Sequence, residues 1–346
     1  MWRYDQSTVP VQNVSFCNVT ASYTHPGQND TVYVETWLPT HDAYNGRLQA
    51  VGGGGWAAGR FVLSYAGMAG AIVDEYATVT TDAGLGSDIS GSWLYLSGDN
   101  SNLYDLKNFG STSLGDEGPI YMDMTKQYPN SCELAELTSL AISLCDARDG
   151  VTDGMIAEPE DCLNVFDAQA YIGTSFFCSN NKLNLEDQHR SCQCGKSTLD
   201  WSEDQHWRQF LCSANGACTA ASPNYSNELI NYYIPSYNVT NTTISLYDFE
   251  HVVYKGLRKL FDPYLGNHDT DLSAFKAAGG KLITYHGSAD PSITPQGTLH
   301  YYKSVGLQDP SIHDFYRYFK VLGLGHCWGG NGGQPTSLFG QLRDWG

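Results

Sequence analysis

Hydrophobic and polar residues alternate in the first part of the chain, which is typical of strands with one buried face. Residues 31–39 alternate with a period of two and end at a proline. A short apolar run over residues 47–51 precedes four consecutive glycines, and residues 69–80 give a further strand pattern that ends in a Thr-Thr-Asp sequence. This part of the chain is therefore predicted to consist mainly of strands.

Strand and helix patterns succeed each other near the C-terminus. Residues 272–278 have a helical pattern that is ended by two glycines, and residues 281–286 predict a buried strand. A helix through residues 298–302 and a second strand over residues 314–321 follow. A strand, a helix and a strand in succession imply a parallel crossover, which is the repeating unit of an α/β fold.

The middle of the chain, from about residue 129 to about residue 254, has a different composition. It is rich in cysteine and aromatic residues, and a helical pattern runs from Cys132 to Cys145. We predict that this segment is a disulfide-stapled insert or lid.

The composition excludes several classes of protein. The chain has 346 residues, of which 41% are hydrophobic and 16% charged, so it is not a disordered protein or a coiled coil. Its formal net charge of −18 disfavours nucleic-acid and membrane-surface partners. No apolar run approaches the roughly 18 to 20 residues of a membrane helix. The composition does not decide the oligomeric state.

Cysteines and glycosylation signals indicate a secreted protein. The only tight cysteine pair, Cys192 and Cys194, is spaced too closely for a zinc knuckle, which favours disulfides over zinc. Six N-x-[ST] triplets support the same compartment. The first residues lack the apolar core of a signal peptide, so we expect that the native N-terminus lies elsewhere, and a cytosolic protein is the weaker alternative. The six triplets begin at Asn13, Asn18, Asn29, Asn224, Asn238 and Asn241.

The two C-terminal strands are each followed by a residue suited to acid–base catalysis. Asp290 comes just after the first strand and His326 just after the second. Loops at the carboxyl ends of parallel strands are where sites are built, and an acid followed by a histidine is the second half of the Ser…Asp…His order of α/β-hydrolases. The carboxylate would orient the imidazole, and the imidazole would accept a serine proton.

Two further motifs could bind a ligand or a metal ion. The glycines at positions 52–55 follow a strand and could point N–H groups at a ligand, or they could form an ordinary loop. Residues 146–155 place three carboxylates and two glycines on one turn, which suits Ca²⁺ or a solvated acidic turn but is not an EF-hand. A disulfide between the flanking Cys145 and Cys162 would fix this turn, and we predict that it forms.

Several segments together resemble the fungal tannase and feruloyl esterase family. The resemblance covers nearly the whole chain and is weakest over residues 178–222. It implies a secreted α/β-hydrolase that cleaves aromatic carboxylic esters through an acyl-enzyme, with Asp290 and His326 as acid and base. The segments are residues 48–58, Thr81-Asp82-Ala83-Gly84, Cys132-Glu133-Leu134, residues 280–291, Pro295-Gln296-Gly297-Thr298 and Gly325-His326-Cys327.

The same resemblance implies roles for the glycine run and for the acidic turn. Gly53, Gly54 and Gly55 would help to form the oxyanion hole. The turn would bind Ca²⁺ in the lid through the side chains of Asp146, Asp149 and Asp153 and the carbonyl groups of Val151 and Met155.

The chain departs from the family where the nucleophile belongs. The family carries its serine in a Gly-Cys-Ser-x-Gly-Gly elbow whose cysteine pairs with the cysteine after the catalytic histidine, here Cys327. This sequence has no Gly-Cys-Ser and no G-x-S-x-G, and Ser111 and Ser113 lack the flanking glycines. Only about 17 residues separate Gly110 from Tyr128, where the family has a long stretch. We expect an incomplete gene model or a spliced form, joined near Glu117 and Gly118 and clipped after Gly346.

The predicted organisation follows from these points. Residues 1–128 and 255–346 form an α/β-hydrolase domain without its elbow segment, and residues 129–254 form the lid with the calcium turn. We expect negligible esterase activity and an unpaired Cys327. The alternative is a non-catalytic secreted glycoprotein that is stabilised by calcium and retains part of the esterase fold.

Overall fold

A computed structural model describes somewhat more than half of the chain. The chain divides into two compact units. The first comprises Met1–Ser113, Glu228–Pro235 and Val253–Asn267, and the second comprises Leu114–Asn227, Ser236–Val252 and His268–Gly346. The predicted boundaries at residues 128 and 254 stay a prediction. The described residues are 11–27, 30–55, 57–87, 131–171, 174, 210–212, 218–220, 268–290, 293, 295–326 and 328–346.

The first unit contains a four-stranded mixed sheet with the order β1-β2-β4-β3. β2 pairs antiparallel with both β1 and β4, whereas β3 and β4 are parallel. The strands predicted over residues 31–39 and 47–51 are thereby confirmed as β2 and β3. The strands are β1 (Phe16–Tyr23), β2 (Val32–Pro39), β3 (Leu48–Ala50) and β4 (Ala77–Thr81).

A helix replaces much of the strand that was predicted over residues 69–80. Helix α1 (Val62–Val73) connects β3 to β4, and the strand begins only at Ala77. The residues from Met68 to Ile72 are all buried. A small-residue helix that is buried on several sides lacks the apolar stripe of period 3.6, so its sequence resembles a buried strand.

The core of this unit lies between the sheet and α1. Trp37 of β2 packs with Met68, Ala69 and Ile72 of the helix. Phe16 and Tyr65 both stack on the Trp37 ring, with centroid distances of 4.2 and 5.7 Å. These contacts hold the β3–α1 connection, which carries the glycine run, against the sheet.

A buried ionic network reinforces the same connection. Arg60 has a positive φ of 54° and places its guanidinium between two buried carboxylates, with Nε 3.3 Å from Glu35 and Nη1 3.1 Å from Asp82. Glu35 also accepts hydrogen bonds from Trp37 and Tyr65. Burial alone would raise the pKa of Glu35, but these hydrogen bonds lower it below the ordinary value.

The second unit contains the predicted parallel crossover. β7 (Leu282–Gly287), α5 (Pro295–Gln308) and β8 (Tyr316–Val321) follow one another, and the two strands pair in parallel register. Val305 of the helix packs with Ile312, Phe315 and Tyr316 in a small core. The crossover is confirmed, although most of β7 is only partly buried where a buried strand was predicted.

The remaining described elements of this unit are helices and one hairpin. The helix predicted from Cys132 to Cys145 is confirmed as α2, and the helical pattern over residues 272–278 as α4. Among the described residues, no helix is long and apolar enough to cross a membrane. The elements are α2 (Ser131–Cys145), α3 (Pro159–Val165), the antiparallel β5 (Phe210–Cys212) and β6 (Cys218–Ala220), α4 (Ser273–Ala277) and α6 (Leu338–Trp345).

Candidate functional site

The loops after β7 and β8 lie against each other, which brings their polar residues together. Ser288 donates its N–H to the Val321 carbonyl at 2.8 Å, and Ala289 donates to Leu324 at 3.0 Å. A Cβ at Gly287 would collide with the Leu324 carbonyl oxygen, so only glycine permits this approach of the two backbones.

The expected contact between Asp290 and His326 is confirmed. His326 Nδ1 lies 2.9 Å from Asp290 Oδ2. The Asp290 side chain is 4% exposed and that of His326 is 43% exposed. A carboxylate oxygen can only accept, so Nδ1 carries the proton, and in the neutral ring Nε2 then holds the lone pair that could take up a proton.

Asp290 is held in its ionised form. Burial alone would raise the pKa of this carboxyl, but hydrogen bonds from His286, from His326 and from the Ile293 amide lower it well below its ordinary value. A permanently charged carboxylate beside Nδ1 favours a protonated imidazole during proton transfer. The pair therefore has the geometry and charge of a general base and its orienting acid.

Sequence reasoning missed a second histidine at this carboxylate. His286 Nε2 lies 3.1 Å from the same Oδ2 of Asp290, on a side chain that is 10% exposed. A histidine four residues before the acid at a strand end was the available signal, but it appeared as part of the strand.

The glycine run lies in the first unit, and its N–H groups are used in part within the loop. The N–H of Gly54 donates to the Ala57 carbonyl at 3.0 Å, and Ala57 returns the bond at 3.2 Å. A Cβ at Gly53 would collide with the carbonyl oxygen of Ala57. The run forms a tight turn, and the role of Gly53, Gly54 and Gly55 in an oxyanion hole stays a prediction.

The acidic loop, defined as residues 146–155, is organised by Asp146. Oδ1 of this buried side chain accepts the N–H groups of Asp153, Gly154 and Met155 at 3.0 to 3.2 Å. Asp149 accepts the N–H of Val151, and Asp153 accepts that of Met155. The carboxylates thus accept hydrogen bonds from the N–H groups of their own loop.

The donor chemistry of the acidic loop suits Ca²⁺, but its arrangement is not that of a closed cage. Oxygen ligands from three carboxylates and two carbonyls are the kind that Ca²⁺ takes. Among the residues that the structure describes, no group of three His, Cys, Asp or Glu side chains is arranged to hold a metal ion. Calcium binding by Asp146, Asp149, Val151, Asp153 and Met155 stays a prediction.

The disulfide between Cys145 and Cys162 is confirmed. Their Cα atoms are 5.4 Å apart, within the range that a disulfide spans. Both cysteines are buried in a cluster that includes Leu137, Ala141 and Phe166. The bridge closes the segment that contains the acidic loop.

The acidic loop also contacts the histidine loop, defined as residues 322–332. A Cβ at Gly323 would meet the sulfur of Met155 at 2.6 Å, so this side chain packs directly on the Gly323 backbone. Lys320, near the end of β8, donates to the Ala157 carbonyl at 2.8 Å. The loop that carries His326 therefore rests on the predicted metal loop.

Other predicted features lie outside the described residues. These include Cys327, Ser111, Ser113, the join near Glu117 and the triplets that begin at residues 29, 224, 238 and 241. Asn13 and Asn18 are described and exposed, and Asn18 donates its side-chain N–H to Glu35 at 2.9 Å.

Comparison with known proteins identifies the group that this chain resembles. The profile of the family described as "Tannase and feruloyl esterase" matches residues 184–346. A probable feruloyl esterase of Arthroderma benhamiae is 27% identical over 423 residues, with 97% of this chain and 77% of the relative covered. A tannase of Aspergillus oryzae is 24% identical over 447 residues, with 92% and 75% covered.

Solved structures support the same fold. A tannin acyl hydrolase from Aspergillus niger is similar with a TM-score of 0.76 at 21% identity, over 99% of this chain and 80% of that protein. Feruloyl esterase B from Aspergillus oryzae gives a TM-score of 0.61 at 21% identity, over 91% and 74%. The predicted resemblance is confirmed, and the chain has the fold of these two solved structures.

Proposed function

We propose that this chain, which resembles tannases and feruloyl esterases along most of its length, is a carboxylic ester hydrolase of that type whose nucleophilic segment is missing. Asp290 and His326 are its acid and base, and aromatic acid esters are its substrate class. The polypeptide of this sequence has negligible esterase activity, because a base without a serine to deprotonate cannot form an acyl-enzyme.

The observation that carries this proposal is the hydrogen-bonded pair of a buried Asp290 and a half-exposed His326 at the ends of parallel strands. The relatives supply the reaction class through their names. The alignments of 423 and 447 residues are longer than the 346 residues of this chain, so they contain gaps on its side, which supports a missing internal segment.

Loss of the nucleophile has a calculable effect. Removing the serine from a serine triad lowers turnover by on the order of 10⁶, which leaves only binding and oxyanion stabilisation. In the complete reaction the Nε2 atom of His326 would take the serine proton, and Asp290 would stabilise the resulting imidazolium. Gly53 and Gly55 would donate N–H groups to the oxyanion.

An esterase assay tests the proposal directly. The purified monomeric chain should not turn over methyl ferulate, methyl gallate or a p-nitrophenyl ester above the rate of an H326Q control. Turnover at ordinary enzyme rates that a serine-directed phosphonate abolishes would contradict it.

A chimera tests the assigned acid and base. The elbow-containing segment of the Aspergillus oryzae tannase is inserted between Glu117 and Gly118. The chimera should gain esterase activity that is abolished by D290N and by H326Q. Activity that survives both substitutions would exclude these two residues as the acid and base.

The alternative function is a non-catalytic secreted glycoprotein, and the acidic loop is the observation that favours it. The segment that the disulfide closes contains this loop, and its Ala157 carbonyl binds Lys320 of β8 independently of any nucleophile. On this alternative the chimera would fold and still remain inactive. Secretion and glycosylation belong to both functions, and exposed Asn13 and Asn18 are the described candidate acceptors.

Calcium is proposed as a structural cofactor of the acidic loop. If Asp146, Asp149 and Asp153 bind it, CaCl₂ should raise the melting temperature relative to EGTA, and the D149N/D153N variant should lose this increase. The variant keeps Asp146, which holds the loop backbone, so its melting temperature in EGTA should stay near that of the unmodified chain. An increase of equal size in both proteins would exclude the two carboxylates as ligands.

A further inference from the structure

The Asp290 carboxylate binds two imidazoles rather than one. Oδ2 lies 2.9 Å from His326 Nδ1 and 3.1 Å from His286 Nε2, while Oδ1 accepts the Ile293 N–H at 2.9 Å. His286 is nearly buried, whereas His326 is half exposed. The two histidines therefore differ in what they can do: only His326 is open enough to meet a substrate.

The protonation of His286 follows from its partners. Its Nε2 also lies 3.0 Å from the Ile293 carbonyl oxygen, which can only accept a hydrogen bond. Nε2 therefore carries a proton and donates it between this carbonyl and Asp290. Nδ1 lies 2.7 Å from Thr298 Oγ1, which donates to it in the neutral ring. The ring is thus held on both sides, by the loop after β7 and by helix α5.

We propose that His286 is a positioning residue that holds the Asp290 carboxylate in the orientation in which it binds His326. This inference rests on the proposed function, since it assumes that Asp290 and His326 are the acid–base pair. Without the Nε2–H donor, Oδ2 loses one of its two imidazole donors, and the carboxylate is held less firmly against rotation about its Cβ–Cγ bond, although Oδ1 keeps the Ile293 N–H. His326 would then no longer be held in one orientation and one tautomer.

A structural role alone would not produce this effect. If His286 only filled space and joined β7 to α5, its replacement by a ring of similar size would lower stability without changing the hydrogen bond of His326. The distinction requires a measurement on the Asp290–His326 hydrogen bond itself. Such a measurement needs neither an ester nor a nucleophile.

The test is NMR of the full chain labelled with ¹⁵N in its histidine rings. The Nδ1–H proton of His326 should resonate far downfield of the backbone amides. The resonance is assigned to His326 by its absence from the spectrum of H326Q. In H286F this resonance should broaden or vanish, whereas H286Q, which restores an N–H donor, should recover it. T284V is the matched control. Thr284 is on β7 like His286, and its hydroxyl lies 3.2 Å from the Tyr316 hydroxyl of β8, so its removal should leave the resonance unchanged.

A second variant keeps the test decisive if H286F does not fold. T298V removes the partner of His286 Nδ1 from the helix side and should shift the Nδ1 nitrogen of His286 and broaden the His326 proton. An unchanged His326 proton in a folded H286F, or in a T298V whose His286 nitrogen has shifted, would overturn the proposal. Failure of the elbow chimera to hydrolyse esters, with the NMR result as expected, would instead count against the proposed function alone.

Discussion

Asp290 is a buried carboxylate that is kept ionised by its hydrogen bonds, so its contribution to stability depends on pH. Its pKa lies below the ordinary value of 3.8 in the folded protein. The ionised Asp290 therefore stabilises the folded state at pH values above 3.8. This stabilisation is lost as the pH falls from 3.8 toward the lower pKa of the folded protein, because the unfolded chain binds the proton first.

D290N should remove this dependence. At pH 7 we expect a loss of about 2 kcal/mol in the free energy of unfolding, since charge-assisted hydrogen bonds contribute roughly 1.5 to 3 kcal/mol. The difference between the two proteins should shrink below about pH 4, as measured by urea unfolding at several pH values. D344N at an exposed carboxylate is the control, and a difference that is independent of pH would contradict the argument.

Arg60 is the single cation between two buried carboxylates of the described network. R60M should lower the free energy of unfolding by about 3 kcal/mol, because removing one partner leaves buried charges uncompensated. Methionine has an unbranched stem like arginine, so the positive φ affects both residues alike. R47M, at an exposed arginine, should change stability by less than about 0.5 kcal/mol. Equal losses in the two variants would refute the role of Arg60.

At the residue scale, sequence predicted those site residues whose positions follow from strand order. Asp290 and His326 were found because each comes just after a strand of one parallel pair. His286 was missed because its role depends on a side chain turning back over the loop after β7. Arg60 was missed for a similar reason, since its partners lie 25 and 22 residues away along the chain.

At the scale of the structural elements, the disulfide between Cys145 and Cys162 fixes the segment that contains the acidic loop. It closes a separation of 17 residues, for which the chain-entropy relation gives about 3 kcal/mol. C145A/C162A should lower the free energy of unfolding by about that amount, and a reductant should have a similar effect on the unmodified chain.

The control for this prediction is C17A, since Cys17 is a free and exposed thiol. C17A should have the same urea midpoint as the unmodified chain, both without reductant and with it. A C145A/C162A protein that unfolds at the same urea concentration as the C17A protein would show that the bridge adds no stability.

Strands and helices could be predicted from the sequence where one face of the element is buried and the other is exposed. β2 alternates because it is half buried, and the crossover through α5 follows from the succession of a strand, a helix and a strand. Helix α1 was mistaken for a strand because burial on several sides removes the periodic signal. The length of the connection between β3 and β4 was the better indicator, since a parallel pair requires a crossover between its strands.

At the scale of the whole molecule, the sequence predicted the α/β class and the contact between Asp290 and His326, but not the division into two units. The second unit combines most of the predicted lid segment with the C-terminal crossover. Patterning along the chain reports local burial, whereas this division depends on contacts between distant segments. The hydrogen bond from Lys320 to Ala157 is one such contact, and no local sequence pattern predicts it.

That bond also bears on the order in which the chain folds. Its two residues are 163 positions apart, and closing so long a loop costs entropy that a single hydrogen bond does not offset. The acidic loop needs no such closure, since Asp146 finds its N–H partners within nine residues. During synthesis Ala157 emerges well before Lys320. The acidic loop can therefore fold first. β8 and the histidine loop that follows it can then pack against a segment that is already folded.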